Sequence, residues 1–429
     1  MAVPEVLTAP RVLTGEITVA GGAVVIDGSV VRWTGPAADL PPEFARDERT
    51  DYQDCTILPG LIDAHVHLGF DGGPQPAARV RSESDEQQII LMLKSARELL
   101  GVGVTTARDL GCRGYLGVTV RDAIAAGLAR GPRLLVAASP LTVTGGHCWF
   151  LGGEADSEDD LRRMVRNHHK NGADLIKVMS TGGFMTKGSA PWYAQFSTQQ
   201  LAVVVEEARR VGKQVAAHAH GIEGIRRAVE AGVDTIEHCS FVTETNERVF
   251  NEPLAASIAD KGIVVCPTVN VNAPYVAKRT GIVVGQYLPA MRALGVRIIA
   301  GTDAGIDNTP HHQYVGGLQH LVSLGFSPAE VIAMATTQSA EALGLGEVTG
   351  RLAPGFEADL LVVDGDPLAD IAALGRLRRV VARGRDYVPD SGRFDVSEPG
   401  TPFARPDADI DLSLLTEATK RRKPRLRAV

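Results

Sequence analysis

The sequence has no apolar run of transmembrane length, and Met1–Pro10 lacks the basic start and apolar core of a secretory leader. Cysteine is sparse. The five residues (Cys55, Cys112, Cys148, Cys239, Cys266) are odd in number and form no C-x-x-C pair, which argues against a disulfide framework or a zinc knuckle. Positive charge is in deficit, 44 Lys and Arg against 51 Asp and Glu, so the net charge of −7 argues against general affinity for nucleic acid or anionic membrane. No G-x-S-x-G elbow is present to carry a nucleophilic serine. These absences lead to the expectation of a cytoplasmic protein with reduced thiols and no nucleic-acid or membrane partner. What is present fits a globular enzyme: 44% hydrophobic and 22% charged residues, in a chain of 429 residues that can hold one large domain and a smaller one.

Short β-type runs separated by Gly21-Gly22 and Asp27-Gly28 (Ile17–Val19, Ala23–Ile26, Val30–Trp33) open the chain as a meander. From Thr56 the texture changes to eight apolar runs: Ile57–Ile62, Val104–Ala107, Leu134–Ala138, Leu175–Met179, Val215–Ala219, Thr235–His238, Ile263–Cys266 and Val296–Ala300. Helical patterning fills most of the gaps, as in Glu86–Leu100, Ser197–Val211, Ile222–Ala231 and Leu254–Lys261. Eight buried runs alternating with helices predict an α/β fold, a (β/α)₈ TIM-like barrel. The meander texture returns at Asp359–Val363 and Arg379–Ala382, which predicts a small β-sandwich domain built from both chain ends. The expected boundaries are 1–56 and 347–388 for that domain, 57–346 for the barrel and 389–429 for a solvated, partly disordered tail ending in Lys420-Arg421-Arg422-Lys423.

The strongest chemical signal is Leu58-Pro59-Gly60-Leu61-Ile62-Asp63-Ala64-His65-Val66-His67. Two histidines two residues apart on a strand face the same side, and here they end the first barrel run, where such barrels carry their chemistry. Other runs end in ionisable residues too: Lys177 in the fourth, His218 and His220 in the fifth, His238 in the sixth and Asp303 after the eighth. Any one of them alone is more often a structural hydrogen-bonding group. Together they make a nitrogen-and-oxygen donor set suited to zinc or a similar divalent ion. A lysine inside an apolar strand is costly to bury charged, so Lys177 needs either a carboxylate partner such as Glu237 or altered chemistry.

This constellation resembles the amidohydrolase superfamily, over nearly the whole chain as far as Asp366. The strings Thr144-Gly145-Gly146-His147, Ser180-Thr181-Gly182-Gly183, Ile236-Glu237-His238 and Gly301-Thr302-Asp303-Ala304-Gly305, with the run from Gly350 to Leu360, are similar to its imidazolonepropionase-like and prolidase-like branch. The resemblance implies two divalent ions, zinc being the first choice, bridged by Lys177 after N6-carboxylation with CO2. By position, His65, His67 and Asp303 would hold one ion, and His218 and His238 the other. A mononuclear site with an unmodified lysine is the alternative form. Catalysis is then expected from a metal-bridging hydroxide, with Asp303 as general base and acid and His147 binding or polarising the substrate.

Candidate substrate contacts are His147, Gly182, Gly183, His220, Phe241 and His311, with further aromatics in the mouth loops (Trp149, Phe150, Phe184, Trp192, Tyr193). Phe241 stands where prolidase-like members carry tyrosine, and Cys148-Trp149-Phe150 and His311-His312-Gln313 also depart from the pattern. A Cys148–His147 thiol dyad is disfavoured because neighbouring residues point apart. The expected reaction is hydrolysis of a C–N amide bond in a peptide or N-acyl amino acid near its C-terminus. Alternatives are follower-peptide removal from a ribosomal natural-product precursor, as in bottromycin-type relatives; a cyclic amide hydrolase or deaminase; and a catalytically inactive scaffold. Homo-oligomerisation is left open.

Overall fold

A computed structural model describes residues 4–388. The expected tail and its basic end lie outside the described residues. Eight parallel strands alternate with helices: β1 (Leu61–Val66), β2 (Val104–Asp109), β3 (Arg133–Val136), β4 (Ile176–Met179), β5 (Val215–Gly221), β6 (Thr235–Val242), β7 (Val264–Cys266) and β8 (Arg297–Ile298). Ladder pairing makes two arcs, β1 to β3 and β4 to β8. Single parallel bridges, Val66 to Ala304 and Leu141 to Val178, link the arcs at both edges. The architecture is therefore the TIM-barrel type, with continuous ladders within each arc and isolated bridges between them.

The helices start where the sequence supplies caps. Ser84, Ser157, Ser197 and Ser327 each accept the backbone N–H three residues on, and Gln87, Asp160, Gln200 and Glu330 return the bond. Such a cap contributes about 1 kcal/mol. The helix Asp85–Gly101 buries Met92, Ala96, Leu99 and Leu100 in the barrel core. No helix among the described residues is long and apolar enough to cross a membrane. All five cysteines are buried and unpaired.

Strands from both chain ends pair into one eight-stranded sheet, in which Cys55–Pro59 lies antiparallel to Leu360–Asp364. This pairing does not by itself show the expected sandwich of two sheets. Leu7, Val12, Ile57, Leu360 and Val362 pack on one cluster, while Val6, Ala23 and Val25 pack with Trp33, Leu40 and Phe44 on another.

The apolar run Ile57–Ile62 is divided at Gly60. Gly60 N–H donates to Asp359 in the terminal sheet (2.9 Å), whereas Leu61 N–H donates to Gly103 beside the barrel (3.0 Å). A Cβ on Gly60 would lie 2.0 Å from Thr105 Oγ1, so only glycine lets the chain pass between the two bodies.

Candidate metal centre and active site

The ionisable residues meet at the C-terminal ends of the strands, around a cavity of about 350 Å³. Strand register explains most of it. Lys177 pairs with Ala216 and Glu237 with His218, so Lys177, His218, His220 and Glu237 share the inward face. His238 follows Glu237 directly and should point away in a regular strand. Its φ of 68° breaks the alternation and brings it to the cavity as well. Asp303 has a φ of 61°. A left-handed non-glycine residue costs on the order of 1–2 kcal/mol, and such strain concentrates at functional sites.

One side of the mouth is built around a carboxylate. Asp303 Oδ1 lies 3.2 Å from His65 Nε2 and 3.1 Å from His67 Nε2. The other nitrogen of each ring is committed: His65 Nδ1 donates to Glu237 (2.8 Å) and His67 Nδ1 to the Gly111 carbonyl (3.0 Å). Both Nε2 atoms thereby face Asp303, leaving them as the ring positions open to a metal ion. Beneath them Arg108 donates to Glu237 (2.8 Å), to Thr235 (3.1 Å) and to the Ala64 carbonyl (2.7 Å). Asp63 accepts from Thr302 Oγ1 (2.5 Å) and from the His65 and Thr302 amides, tying β1 to the segment that carries Asp303.

The other side is built from imidazoles. His218 Nε2 donates to the Gly182 carbonyl (3.0 Å), and its Nδ1 lies 2.9 Å from His238 Nε2. His238 Nδ1 meets Thr268 Oγ1 at 2.8 Å, and His220 Nδ1 meets Ser240 Oγ at 2.9 Å. His218, His220 and His238 each bring a donor atom within 4.8 Å of the others, and so do His65, His238 and Asp303. His238 belongs to both groups.

Electrostatics separate the two sides. Burial pushes the Asp303 carboxyl up, but His65 and His67 outweigh it and hold it well below the usual range. Burial lowers His67, but Asp303 more than compensates and raises it. In contrast, burial and neighbouring imidazoles drive His218 and His238 well below the ordinary value. Burial pushes Glu237 up, yet Arg108 and His65 leave it strongly acidic. Burial lowers His147 to about 4, so its ring is neutral at pH 7.

Lys177 is 1% exposed, and its Nζ has no hydrogen-bond partner among the described residues. Glu237, the alternative ion-pair partner, already uses one oxygen for Arg108 and the other for His65. Burial, the largest influence, lowers the Lys177 pKa. His147 Nδ1 and Asp303 Oδ1 are likewise buried without a hydrogen bond of acceptable geometry among the described residues. Three unsatisfied polar atoms around one cavity, beside grouped imidazoles, fit divalent cations and an added anionic bridge.

Several expected substrate contacts are displaced. Phe241 is fully buried against Phe250 and Tyr287 and belongs to the core, away from the cavity. His311 lies behind His67, meeting its carbonyl at 3.2 Å, and does not line the cavity. Gly182 acts through its carbonyl on His218, and Gly183 makes room for His147, since a Cβ there would lie 2.4 Å from His147 Nε2. His147 and His220 do line the cavity. Of the mouth aromatics only Phe184 lines it, while Trp149 and Tyr193 are exposed. The Cys148 thiol lines it too, but burial pushes its pKa up to about 12, away from nucleophilic use.

Two features were missed from sequence. Arg108 carried the same signal as Lys177, a charge inside an apolar strand. The cavity's apolar wall comes from Tyr275, Val276, Val283, Tyr287, Leu288 and Met291, on the excursion between β7 and β8. It gave no motif.

Barrel strands presenting histidine, lysine and aspartate at their C-terminal ends define a class of metal-binding barrel hydrolases. The chain belongs to the amidohydrolase family, whose profile matches residues 56–385. It is 30% identical over 395 residues to ochratoxinase from Aspergillus niger, covering 81% of this chain and 78% of that one. It is 26% identical to the imidazolonepropionase of Salinispora tropica, over 80% of this chain and 85% of that one. Among solved structures, a Xaa-Pro dipeptidase with bound methionine in its active site superposes with a TM-score of 0.81 at 28% identity, covering 90% of this chain and 99% of that chain. The chain is thus a hydrolase acting on C–N bonds, in the imidazolonepropionase-like and prolidase-like branch.

Proposed function

We propose that this chain hydrolyses the amide bond of a peptide or N-acyl amino acid near its C-terminus, using two divalent ions, zinc by donor preference. In this reading His65, His67 and Asp303 would hold one ion and His218 and His238 the other, with carboxylated Lys177 available to both. The observation that carries it is the Lys177 amine, buried without a hydrogen-bond partner among the described residues at the cavity that both donor groups line. Its lowered pKa favours the neutral amine, which adds to CO2 and releases one proton, leaving an N-linked carboxylate. That exchanges a buried cation for an anion between cation sites.

When bound, the ions supply an acidified water and polarise the scissile carbonyl. Asp303, ionised beside His65 and His67, takes the proton from the attacking water and returns it to the leaving nitrogen. Neutral His147, whose Nδ1 is unspent, donates to the carbonyl oxygen as charge develops there. The apolar wall receives the side chain beside the bond. Likeness to a Xaa-Pro dipeptidase with methionine bound in its active site supports an amide linked to an amino acid. Likeness to imidazolonepropionase supports a second reading, a cyclic amide.

The test is metal analysis of protein loaded with and without bicarbonate, followed by dipeptides, N-acyl amino acids and lactams as substrates. Two ions per chain, bicarbonate-dependent activity and loss of both in Lys177→Ala are expected. Full activity in Lys177→Ala, or an inert panel, would overturn the reading. Lactam cleavage alone would favour the cyclic amide.

A further inference from the structure

The loop after β8 carries a second aspartate that the reaction above does not use. Asp307 lines the same cavity as Asp303, His67 and His147. Its backbone is held from three sides. Gly305 N–H donates to the Thr309 carbonyl (2.7 Å) and Ile306 N–H to the Asp303 carbonyl (3.3 Å), which closes the turn. From the loop after β1, Gly72 N–H donates to the Gly305 carbonyl (2.8 Å), while Asn308 N–H donates to the Gly73 carbonyl (3.0 Å). Asn272 Nδ2, on the excursion between β7 and β8, donates to the Asn308 carbonyl (2.6 Å). The Asp307 carboxylate is therefore presented from a fixed turn just beyond Asp303.

Among the described residues no counter-ion meets it. The charge that acts on it most is another acid, Asp71, and Arg79 is already spent on Asp71 (3.0 Å) and Glu83. Arg248 reaches the cavity from the segment after β6 that turns back to bridge Val242, and it forms no ion pair with Asp307. Nor does a metal account for Asp307, which belongs to none of the donor groups close enough to share an ion. Burial, with Asp71 second, raises its carboxyl to about 6, so the group is mostly ionised at pH 7. A half-buried anion without a partner is stabilised by a ligand that brings a positive charge.

The rest of the wall decides which cation fits. Phe70, Met179 and Met185 from one apolar cluster, and Leu288 and Met291 from another, line the same cavity. Such surfaces receive apolar side chains and not those of lysine or arginine. The departing nitrogen is an amide and carries no charge, so the remaining ammonium beside the scissile bond belongs to the acyl half. It is attached to the carbon next to the attacked carbonyl, and one short turn joins Asp307 to Asp303, which handles the proton there.

We propose that Asp307 binds the free α-ammonium of the residue whose carbonyl is attacked, so that the enzyme takes unblocked dipeptides in preference to N-acyl amino acids. This rests on the hydrolysis proposed above and narrows its substrate class to peptides with a free amino terminus beside the scissile bond. Asp307 sets specificity by contact with the ammonium and leaves proton transfer to Asp303.

The test uses zinc-loaded wild type, Asp307→Asn and Asp307→Glu, titrated calorimetrically with L-leucinol and with 4-methyl-1-pentanol, which lacks the amine. Neither probe has a bond to hydrolyse. Wild type is expected to bind the amine about tenfold more tightly than the plain alcohol. Asp307→Asn should bring that ratio near one, and Asp307→Glu, which keeps the charge on a longer arm, should lie between. An unchanged ratio in Asp307→Asn, equal binding of the two probes by wild type, or no binding of either overturns the proposal. Retention of the thermal unfolding transition in Asp307→Asn separates loss of recognition from loss of fold. Hydrolysis of L-leucyl-L-leucine and its N-acetyl derivative is followed in parallel. An inert pair alongside an Asp307-dependent binding preference would sink the hydrolytic reading and leave this receptor standing. Cleavage of both at rates that Asp307→Asn leaves unchanged would do the opposite.

Discussion

The two sides of the mouth use histidine in opposite ways. On the β1 side, His65 and His67 flank an ionised aspartate and are braced from behind by Glu237, Arg108 and the Gly111 carbonyl. On the β5 and β6 side, three imidazoles crowd together with only neutral partners: Gly182, Thr268 and Ser240. The first side is organised by charge, and His67 is raised accordingly; the second is organised by burial, and its histidines stay neutral. A cation entering the first meets a formal negative charge already in place. Entering the second, it meets lone pairs alone and depends on the bridge that Lys177 would supply. The contrast predicts unequal affinities, with the first side filling first.

The largest effect should come from the charged side. Asp303→Asn removes both the anion and the proton acceptor, so kcat should fall about 10³-fold with metal in excess. A fall of less than tenfold would remove Asp303 from the chemistry. Next, Arg108→Leu strands Glu237 as a buried, largely unpaired anion, and denaturant unfolding should show a loss of about 3–5 kcal/mol. If stability is retained, the ion network does not brace His65.

The neutral side should be read by pH. Burial lowers His220 to about 3 and His147 to about 4, from an ordinary 6.5. With the folded value lowered, the unfolded chain takes up protons first. Stability is therefore fully present above pH 6.5 and is lost as pH falls toward 4 and then 3, by about 1.4 kcal/mol per pH unit for each group. Urea unfolding of metal-free protein between pH 7.5 and 5 measures the slope, and His220→Gln should make it shallower by one group's share. A slope that His220→Gln leaves unchanged would contradict a buried neutral ring.

Smaller still, Thr268→Val removes the partner of His238 Nδ1 and should weaken loading of the second ion about tenfold, with the first unaffected. The smallest change belongs to Phe241→Leu. A residue packed on Phe250 and Tyr287 should cost under about 1.5 kcal/mol and leave substrate preference unaltered.

Much of this was legible because alternation and strand-end position are local signals. The eight apolar runs each overlap a barrel strand, and His65, His67, His218, His238, Lys177 and Asp303 do converge. What failed was direction. The boundary inside Ile57–Ile62 was invisible because both sheets demand the same apolar texture, and only the partners at Gly60 and Leu61 differ. Phe241 and His311 neighbour mouth residues in sequence, yet local backbone geometry turns them into the core and behind His67. Conversely, His238 reaches the cavity only through a left-handed φ that no propensity announces. Arg248 and the wall around Val283 arrive from segments that fold back over the mouth, a long-range placement that periodicity does not encode.

In the proposed function the buried Lys177 amine would join two unlike donor groups into one bridged centre. Anomalous X-ray scattering at the zinc edge, on crystals grown with zinc and bicarbonate, is the decisive measurement. Two peaks are predicted, one touching His65, His67 and Asp303, the other His218 and His238, with carboxylate density continuous with Lys177 Nζ between them. Zinc bound at those histidines beside a bare, unmodified Lys177 side chain would contradict it.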